Sequence, residues 1–499
     1  MRSPLLCMLL ALTVQDAPWS QTKRELEPLL KPEADGLART QAVRRAGGYS
    51  HVEATKLLVQ ALFDSCAELQ VGGRAFDRLS EELRPYLKQG ADIRTDAAAM
   101  RTMEERTALG KHLIQEERVL DEIIASLAGN RDEESIRHLA TLPRKPRDWR
   151  ARARLAEVLG KIGSELACEE LHKLLDDSDP RVVCYAAEAL GLIRAAASVA
   201  PLSKLLKASN WQVRAFAVTS LQEIGHVDAI AALIKALSGE TGILSRMIGD
   251  ALVKLTGASF GSNYEAWSNW WRENADQLAA QGAKKVSVPP KAAVPSHDPF
   301  TYYGIKTVSE RVLFVVDISD SMNDQADETV VPPDGMPKRT GNKRPKILVA
   351  KDQLVDALVQ LAPATSFNII TYNKYVQSWK PALVQATPRN KNEALAYVLD
   401  IKASEATNIF EALELAFEYA GSGAYDRAYP SQVDTIFFLT DGKPTEGRIQ
   451  DPQEILEAVR RLNRVSAVTI HTIGVGYLHD REFLKAMATQ NGGQYVNVQ

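Results

Sequence analysis

Cysteine is scarce. The chain has four in 499 residues, namely Cys7, Cys66, Cys168 and Cys184, with no close spacing. That excludes a disulfide scaffold and gives no zinc or redox pattern. Glycine (29) and proline (23) are too few for a collagen-like or low-complexity chain. An excess of one charge is also missing. Lys and Arg total 60 against 63 Asp and Glu, a net charge of −3, which argues against a protein whose whole surface grips nucleic acid. No apolar run is long enough to span a bilayer, which needs about 20 residues. H-E-x-x-H, C-x-x-C and P-loop signatures are absent, so the usual metallohydrolase, thiol-redox and nucleotide readings have no anchor. What remains is ordinary soluble composition, 45% hydrophobic and 25% charged, in a chain long enough for about three domains.

The start of the chain carries the one membrane-directed signal. Arg2 precedes an apolar stretch from Leu5 to Val14, followed by polar Gln15 and Asp16. A basic residue, a core of about 10 apolar residues and small residues downstream fit a secretory signal peptide. Residues 1–20 are therefore read as a signal peptide with no stable membrane span, and the mature chain as exported to the periplasm, cell envelope or extracellular space. A short buried helix is the alternative. Ala11, Thr13, Ala17 and Ser20 are all candidate cleavage positions, and removal through residue 20 leaves Cys66, Cys168 and Cys184, read as small buried core thiols.

Residues 21–118 are rich in Ala, Leu, Glu and Arg, with apolar residues at helical spacing, as in Val52, Leu57, Leu58, Ala61, Leu62, Cys66 and Leu69. They predict amphipathic helices and carry no chemical motif. From about residue 119 the chain repeats. Leu159, Leu190, Leu221 and Leu252 are each 31 residues apart, and Ile162, Ile193, Ile224 and Leu255 keep the same step. So do Leu171, Leu202 and Leu233. Each unit has two helical stripes around a polar turn, with Asp179-Pro180 and Asn210-Trp211 marking unit starts. A helical pair of this size cannot bury its apolar face alone, so a strict period implies a stacked solenoid. The segments DPRVVCYAAEALGLI and WQVRAFAVTSLQEIG resemble HEAT-like repeats of the short bacterial type, which also occurs in phycobilisome lyases. The resemblance implies a protein-binding surface over residues 119–281. Arg181 and Arg214 either line such a surface or are solvated charges at helix starts. Trp267, Trp270 and Trp271 at helical spacing are expected to cover the end of the core. Gly257-Ala258-Ser259-Phe260-Gly261 matches the hydrolase elbow G-x-S-x-G, but that motif needs a strand before it, and a helical stretch precedes it here.

Residues 282–308, rich in Pro, Ala and Lys, read as a linker. Beyond it the grammar changes. Apolar runs at Val312–Val316, Phe367–Thr371, Thr435–Leu439, Val468–Ile473 and Gln494–Val498 alternate with helical segments. Strands apolar on both faces predict a mostly parallel, doubly wound sheet covered by helices. Sites in such folds lie at the carboxyl ends of the strands. The first strand runs into Asp317-Ile318-Ser319-Asp320-Ser321, and a later one into Thr440-Asp441-Gly442. Thr407 precedes a third helix start. Two carboxylates and three hydroxyls make an all-oxygen set suited to a hard divalent cation, and the charges of Asp317 and Asp441 balance a 2+ ion.

The segments FVVDISDSM, EATNIF and FFLTDGKPTEG resemble the von Willebrand factor A domain and its metal-ion-dependent adhesion site, over residues 309–499. The whole chain is thus expected to be an all-α solenoid followed by a Rossmann-like α/β domain. The resemblance implies Asp317, Ser319, Ser321, Thr407 and Asp441 as the metal set, with Mg²⁺, or Ca²⁺ or Mn²⁺, as the cation. Ser319, Ser321 and Thr407 would ligate directly, and Asp317 and Asp441 directly or through water. An acidic side chain of a protein partner would complete the shell. Three features depart from the family. Asp320 stands where Gly is usual, which strengthens cation binding, favours Ca²⁺ or repels an acidic ligand. Glu405-Ala406 replaces a common Gly-Gly and stiffens the loop. The sequence also ends at the last strand, without the helix that couples metal state to shape in some relatives. Residues 323–345 form an insertion, either a loop that gates the site or contacts the partner, or a flexible surface insert.

These readings predict a non-enzymatic binding or scaffold protein with two protein-interaction surfaces, no nucleic-acid partner and no catalytic residues. None of the eight histidines lies near the site motifs in sequence, so a metal-dependent hydrolase lacks its base, and a lyase lacks a chromophore site. The alternative from another class is an intracellular accessory subunit of a chelatase-like ATPase complex, which an uncleaved N-terminus would favour.

Overall fold

The computed structural model describes residues 19–83, 96–281, 300–307, 309–330, 338–420, 433–464 and 466–498, with residues 279–281, 326–330 and 338–342 described by backbone alone. Most of the proposed signal segment and linker, including Cys7, lies outside the described residues. The chain forms two compact units. One comprises Met1–Ala75, Leu109–Ala208 and Thr219–His226, the other Phe76–Ala108, Ser209–Val218 and Val227–Gln499.

The chain before the repeats is helical: α1 (Trp19–Leu26), α2 (Gly36–Gly47), α3 (Val52–Glu82), α4 (Ala97–Ala128) and α5 (Glu133–Ala140). Its apolar stripes are buried, and among them lies Arg39, 1% exposed. The guanidinium is satisfied on three sides, donating to Leu30 O (3.0 Å), Ser65 Oγ (2.8 Å) and the Glu116 carboxylate. A buried charge needs such a complete set of partners, so Arg39 ties α2 to α3 and α4.

The repeat follows as α6 (Trp149–Ile162), α7 (Cys168–Leu174), α8 (Pro180–Ile193), α9 (Val199–Leu205), α10 (Trp211–Ile224), α11 (Val227–Leu237), α12 (Gly242–Thr256) and α13 (Tyr264–Gln281). The 31-residue step is visible in the caps. Asp148, Asp179 and Asn210 accept at Oδ1 from backbone N–H groups of the following turn, at 3.2, 3.0 and 3.2 Å, satisfying donors that a helix start leaves unpaired. At the other end Gly163, Arg194 and Gly225 take left-handed φ of 75°, 61° and 72°. The ladder Leu159, Leu190, Leu221 and Leu252 is fully buried. Gly160 and Gly191, one period apart, let neighbouring helices close. A methyl on Gly160 would lie 2.6 Å from Ala189 Cα, and one on Gly191 2.9 Å from Ser220 Cα.

The structure corrects the exposed-arginine reading. Arg181 pairs with its own cap Asp179 (2.7 Å) and stacks 3.4 Å over the Trp149 ring. Arg214 pairs with Glu240 (2.7 Å). Both arginines brace the turns from which they arise. The tryptophans close the second unit's helices as expected. Trp267 is fully buried and donates Nε1 to Gly261 O (2.8 Å). It meets Phe260 and Trp270 edge-on at 4.9 and 5.8 Å, while Trp271 is only half-buried. Ser259 lies between two helices, and the glycines beside it are structural: Gly257 is the left-handed cap of α12, and Gly261 O abuts Gly249.

The α/β domain has the strands β1 (Phe300–Tyr302), β2 (Ile305–Thr307), β3 (Arg311–Asp317), β4 (Gln325–Val330), β5 (Lys338–Pro345), β6 (Ser366–Tyr372), β7 (Val376–Ser378), β8 (Val384–Gln385), β9 (Thr435–Thr440), β10 (Thr469–Val475) and β11 (Tyr495–Val498). Its helices are α14 (Lys346–Gln360), α15 (Pro388–Asp400), α16 (Ile409–Tyr419), α17 (Pro452–Asn463) and α18 (Arg481–Gln490). The main sheet runs β11-β10-β9-β3-β6-β7, with β8 also on β6. The pairs from β11 to β6 are parallel, and β7 and β8 are antiparallel. From β3 the chain moves to β6 on one side and later returns to β9 on the other. The carboxyl ends of β3 and β9 are therefore the switch point, where a doubly wound sheet opens a crevice.

Two expectations change here. The hairpin β1–β2 lies in the segment read as linker, yet Phe300, Tyr302, Tyr303 and Ile305 belong to the same buried core as Phe314 and Phe437. Residues 300–307 are therefore part of the α/β domain, because burying four large apolar side chains outweighs the polar context around them. From Gln325 on, the described residues of the insertion are paired strands: β4 and β5 run antiparallel from Gln325↔Pro345 to Val330↔Lys338, with a register shift between Asp327 and Thr329.

Candidate metal centre

Each oxygen of the set sits where the topology delivers it. Register pairs Val316 with Leu439, so the next residues, Asp317 and Thr440, end β3 and β9 side by side. Asp317 is fully buried. Its Oδ1 accepts from Ser319 N (2.8 Å) and its Oδ2 from Thr440 Oγ1 (2.7 Å). Ser319 and Ser321 share a hydrogen bond between hydroxyls (3.2 Å), and Ser321 Oγ donates to Asp441 Oδ1 (2.8 Å). Asp441 is fully buried as well. Burial, and then the neighbouring charge of Asp441, push the Asp317 carboxyl up to about 6 against the hydrogen bonds from Ser319 and Thr440. Two carboxylates crowded in a buried site are the arrangement a cation relieves.

Thr407 reaches the same rim by another route. A methyl on Gly442 would be 3.7 Å from Thr407 Oγ1 and 3.9 Å from Ser321 Oγ. The Thr407 backbone is clasped by Thr445: N–H to Thr445 Oγ1 (2.9 Å), and Thr445 N–H back to Thr407 O (3.0 Å). The loop before it is stitched to the first motif through Ser404 N to Ile318 O (2.8 Å) and Asp320 N to Glu405 O (2.9 Å). Glu405 has φ of +67°, the left-handed region where glycine is favoured. Replacing a glycine-type position by Glu thus leaves the turn in place and adds backbone strain.

Asp320 is turned out. It is exposed, and its Oδ1 accepts from Asn323 Nδ2 (3.2 Å). Its carboxylate makes no hydrogen bond to the five residues of the set among the described contacts.

Sequence reading missed the strongest partner of the set. Lys346, first residue of α14, is 3% exposed. Its Nζ donates to Asp441 Oδ2 (2.7 Å) and Ser321 O (3.2 Å), and Asp324 Oδ2 lies 3.6 Å away. Only an apolar helix starting straight after the insertion hinted at it. Also missed was Arg448, which anchors the loop after Asp441: it bonds Glu411 (N–H to Oε1, 3.2 Å) and the Glu414 carboxylate on α16, and its guanidinium lies 4.6 Å over the Phe76 ring. His479, remote in sequence, is packed nearby, and burial lowers its pKa, with the charge of Asp441 a smaller opposing influence. Its Nε2 hydrogen-bonds the Tyr495 hydroxyl (2.8 Å).

The donor chemistry fits a hard cation: two carboxylates and three hydroxyls, all oxygen. Among the described residues no group of three or more His, Cys, Asp or Glu is placed to hold a metal, so the hydroxyls are indispensable to the fit.

Comparison with known proteins supports the fold assignment. Residues 341–497 match the von Willebrand factor type A domain family and residues 169–252 the HEAT repeats. The chain therefore carries a von Willebrand factor type A domain after a helical repeat region. The first match begins beyond the D-x-S-x-S loop. The chain is similar to inter alpha-trypsin inhibitor heavy chain 4 of Mus musculus, 33% identical over 195 residues, covering 39% of this chain and 18% of that protein. The human inter-alpha-trypsin inhibitor heavy chain H4 is 30% identical over 196 residues, covering 39% and 19%. The chain thus spans about a fifth of the length of these curated relatives. Among solved structures it resembles a von Willebrand factor type A protein from Catenulispora acidiphila, with a TM-score of 0.30 and 20% identity over 39% of this chain and 40% of that one.

Proposed function

We propose that the chain is a non-enzymatic binding protein whose α/β domain holds a divalent cation through Asp317, Ser319, Ser321, Thr407 and Asp441, and through that cation an acidic group of a protein partner. The cation, Mg²⁺ or else Ca²⁺ or Mn²⁺, would supply the positive charge on which the partner's carboxylate docks. The observation that carries this reading is the convergence of the five residues at the switch point of β3 and β9, with the buried Asp317 and Asp441 crowding each other's charge. Protein interaction is the role that membership of the domain family supports. The HEAT repeats offer a second interaction surface, and the N-terminal segment directs export. No helix among the described residues is long and apolar enough to cross a membrane.

Adding Mg²⁺, Mn²⁺ or Ca²⁺ to the full chain should raise its melting temperature, and Asp317→Ala should abolish the rise. A wild type indifferent to all three ions sinks the proposal. Pull-down from cell-envelope extracts with and without EDTA then identifies the partner. N-terminal sequencing of the native protein tests export, and an uncleaved cytoplasmic chain would point instead to an accessory subunit of an ATPase complex.

A further inference from the structure

The buried ammonium on Asp441 gives the oxygen cluster a feature of its own. A divalent cation shares Asp441 with whatever already neutralises it, and here a fixed positive charge is hydrogen-bonded to Oδ2 at 2.7 Å. Lys346 is not there by chance packing. It begins α14 at the foot of the β4–β5 hairpin, and its backbone N–H donates to Asp324 O (3.0 Å), which closes the hairpin stem. Gly476, left-handed with φ of +74°, makes room for its stem: a methyl there would lie 2.8 Å from Lys346 Cε. The same ammonium has a second carboxylate within reach. Asp324 Oδ2 is 3.6 Å away, and the Asp324 side chain is 61% exposed, whereas Asp441 is fully buried. One short rotation of the lysine tip therefore exchanges a buried acceptor for a solvated one.

We propose that Lys346 is a tethered counter-ion of the cluster, which neutralises Asp441 until a divalent cation binds and then transfers to Asp324. The inference rests on the cation-binding reading above and deepens it. Two consequences follow from charge alone. Lys346 competes with the cation for Asp441, so the cluster binds divalent ions more weakly than its five donors would. With Lys346 kept on Asp324, three carboxylates, one ammonium and one 2+ ion sum to zero, so the loaded site carries no net negative charge against an acidic ligand. The transfer also links loading of the site to the stem of the hairpin at Asp324.

Titration calorimetry of the full chain with Mg²⁺ and with Mn²⁺, at fixed pH and ionic strength, tests this. Lys346→Met should bind either ion roughly tenfold tighter or more, since a competing charge has gone. Lys346→Arg, which keeps the charge, should stay near wild type. Melting curves in EDTA check that each variant is folded, and Lys346→Gln replaces the Met variant if that one is not. Asp324→Asn should weaken ion binding in the wild-type background, and this loss should shrink in the Lys346→Met background. Equal or weaker binding by Lys346→Met overturns the counter-ion role and makes Lys346 an orienting partner of Asp441. An equal Asp324→Asn loss in both backgrounds overturns the transfer. If neither wild type nor Lys346→Met binds any ion, the cation-binding reading itself has failed, an outcome distinct from both.

Discussion

The helical repeats and the α/β domain use the same polar residues to different ends. In the repeats a polar side chain serves its own neighbourhood. Asp179 caps α8 and pairs with Arg181 two residues on, and Arg152 and Asp177, or Arg214 and Glu240, are 25 and 26 residues apart, less than one period. In the α/β domain the partners come from far along the chain. Lys346 and Asp441 are separated by 95 residues, Ser321 and Asp441 by 120, Asp317 and Thr440 by 123. Local pairs hold a turn together. Distant pairs assemble a site, and they do so in the buried crevice where the strand order reverses. Burial makes such pairs consequential, because a lost partner leaves a charge with no water to replace it.

The largest expected effect tests that difference directly. Asp441→Ala in the Asp324→Asn background, measured by urea unfolding in EDTA, should cost about 3–5 kcal/mol relative to Asp324→Asn alone, since the buried Lys346 ammonium then has neither carboxylate. Adding Lys346→Met should recover much of that loss. In the repeats, Glu223→Ala, which frees the exposed Arg194 (3.0 Å), should cost less than about 1 kcal/mol. Similar losses at Asp441 and Glu223 would erase the distinction between the two regions.

The contrast also explains what the sequence reveals and what it hides. A 31-residue period is written into the repeats, because each unit solves the same local problem with Asp148, Asp179 and Asn210 at its starts. The strands β3, β6, β9 and β10 are legible because both of their faces are apolar, and the D-x-S-x-S and T-D-G loops are legible because they follow such strands. Three features left little trace. The strands β1 and β2 are three residues each and follow a Pro-rich stretch that masks them. The hairpin β4–β5 reads QADETV and KRTGNKRP, with no alternation of apolar residues to mark strands. Lys346 resembles any charged residue at a helix start, and only the fold brings Asp441 to it.

A middle-sized effect probes the domain's core away from the site. His471 on β10 is 4% exposed and stacked on Phe437 (4.9 Å, 22°). Its Nδ1 accepts from Gln494 N (3.0 Å). Burial, and then the charge of Arg246, lower its pKa to about 4. The folded value is depressed, so the stabilisation is present above the unfolded value of about 6.5 and is lost as pH falls toward 4. The loss should reach about 3 kcal/mol over that window. His471→Asn keeps an acceptor but does not titrate, so its unfolding free energy should fall less between pH 7 and 4.5 than that of wild type. Parallel profiles for the two proteins would remove His471 as the cause.

The smallest effect concerns the backbone strain that both regions share. Arg194 takes the left-handed position that Gly163 and Gly225 fill in the neighbouring units, and Glu405 takes one in the loop before Thr407. A side chain in that region costs about 1–2 kcal/mol, while glycine loses about 0.4–1 kcal/mol through its freer unfolded chain. Arg194→Gly and Glu405→Gly should therefore each stabilise by about 0.5–1 kcal/mol, read from the midpoint of urea unfolding. The cap of α8 is fixed by its helix, and the Glu405 turn is fixed by Asp320 N–H on its carbonyl and Ser404 N–H on Ile318 O. Neither turn depends on the side chain to keep its shape. Equal gains would show that backbone conformation is indifferent to whether its surroundings are local or assembled. A gain at 194 with a loss at 405 would show instead that the Glu405 side chain itself holds the loop carrying Thr407, and would make its presence there a property of the site rather than a tolerated strain.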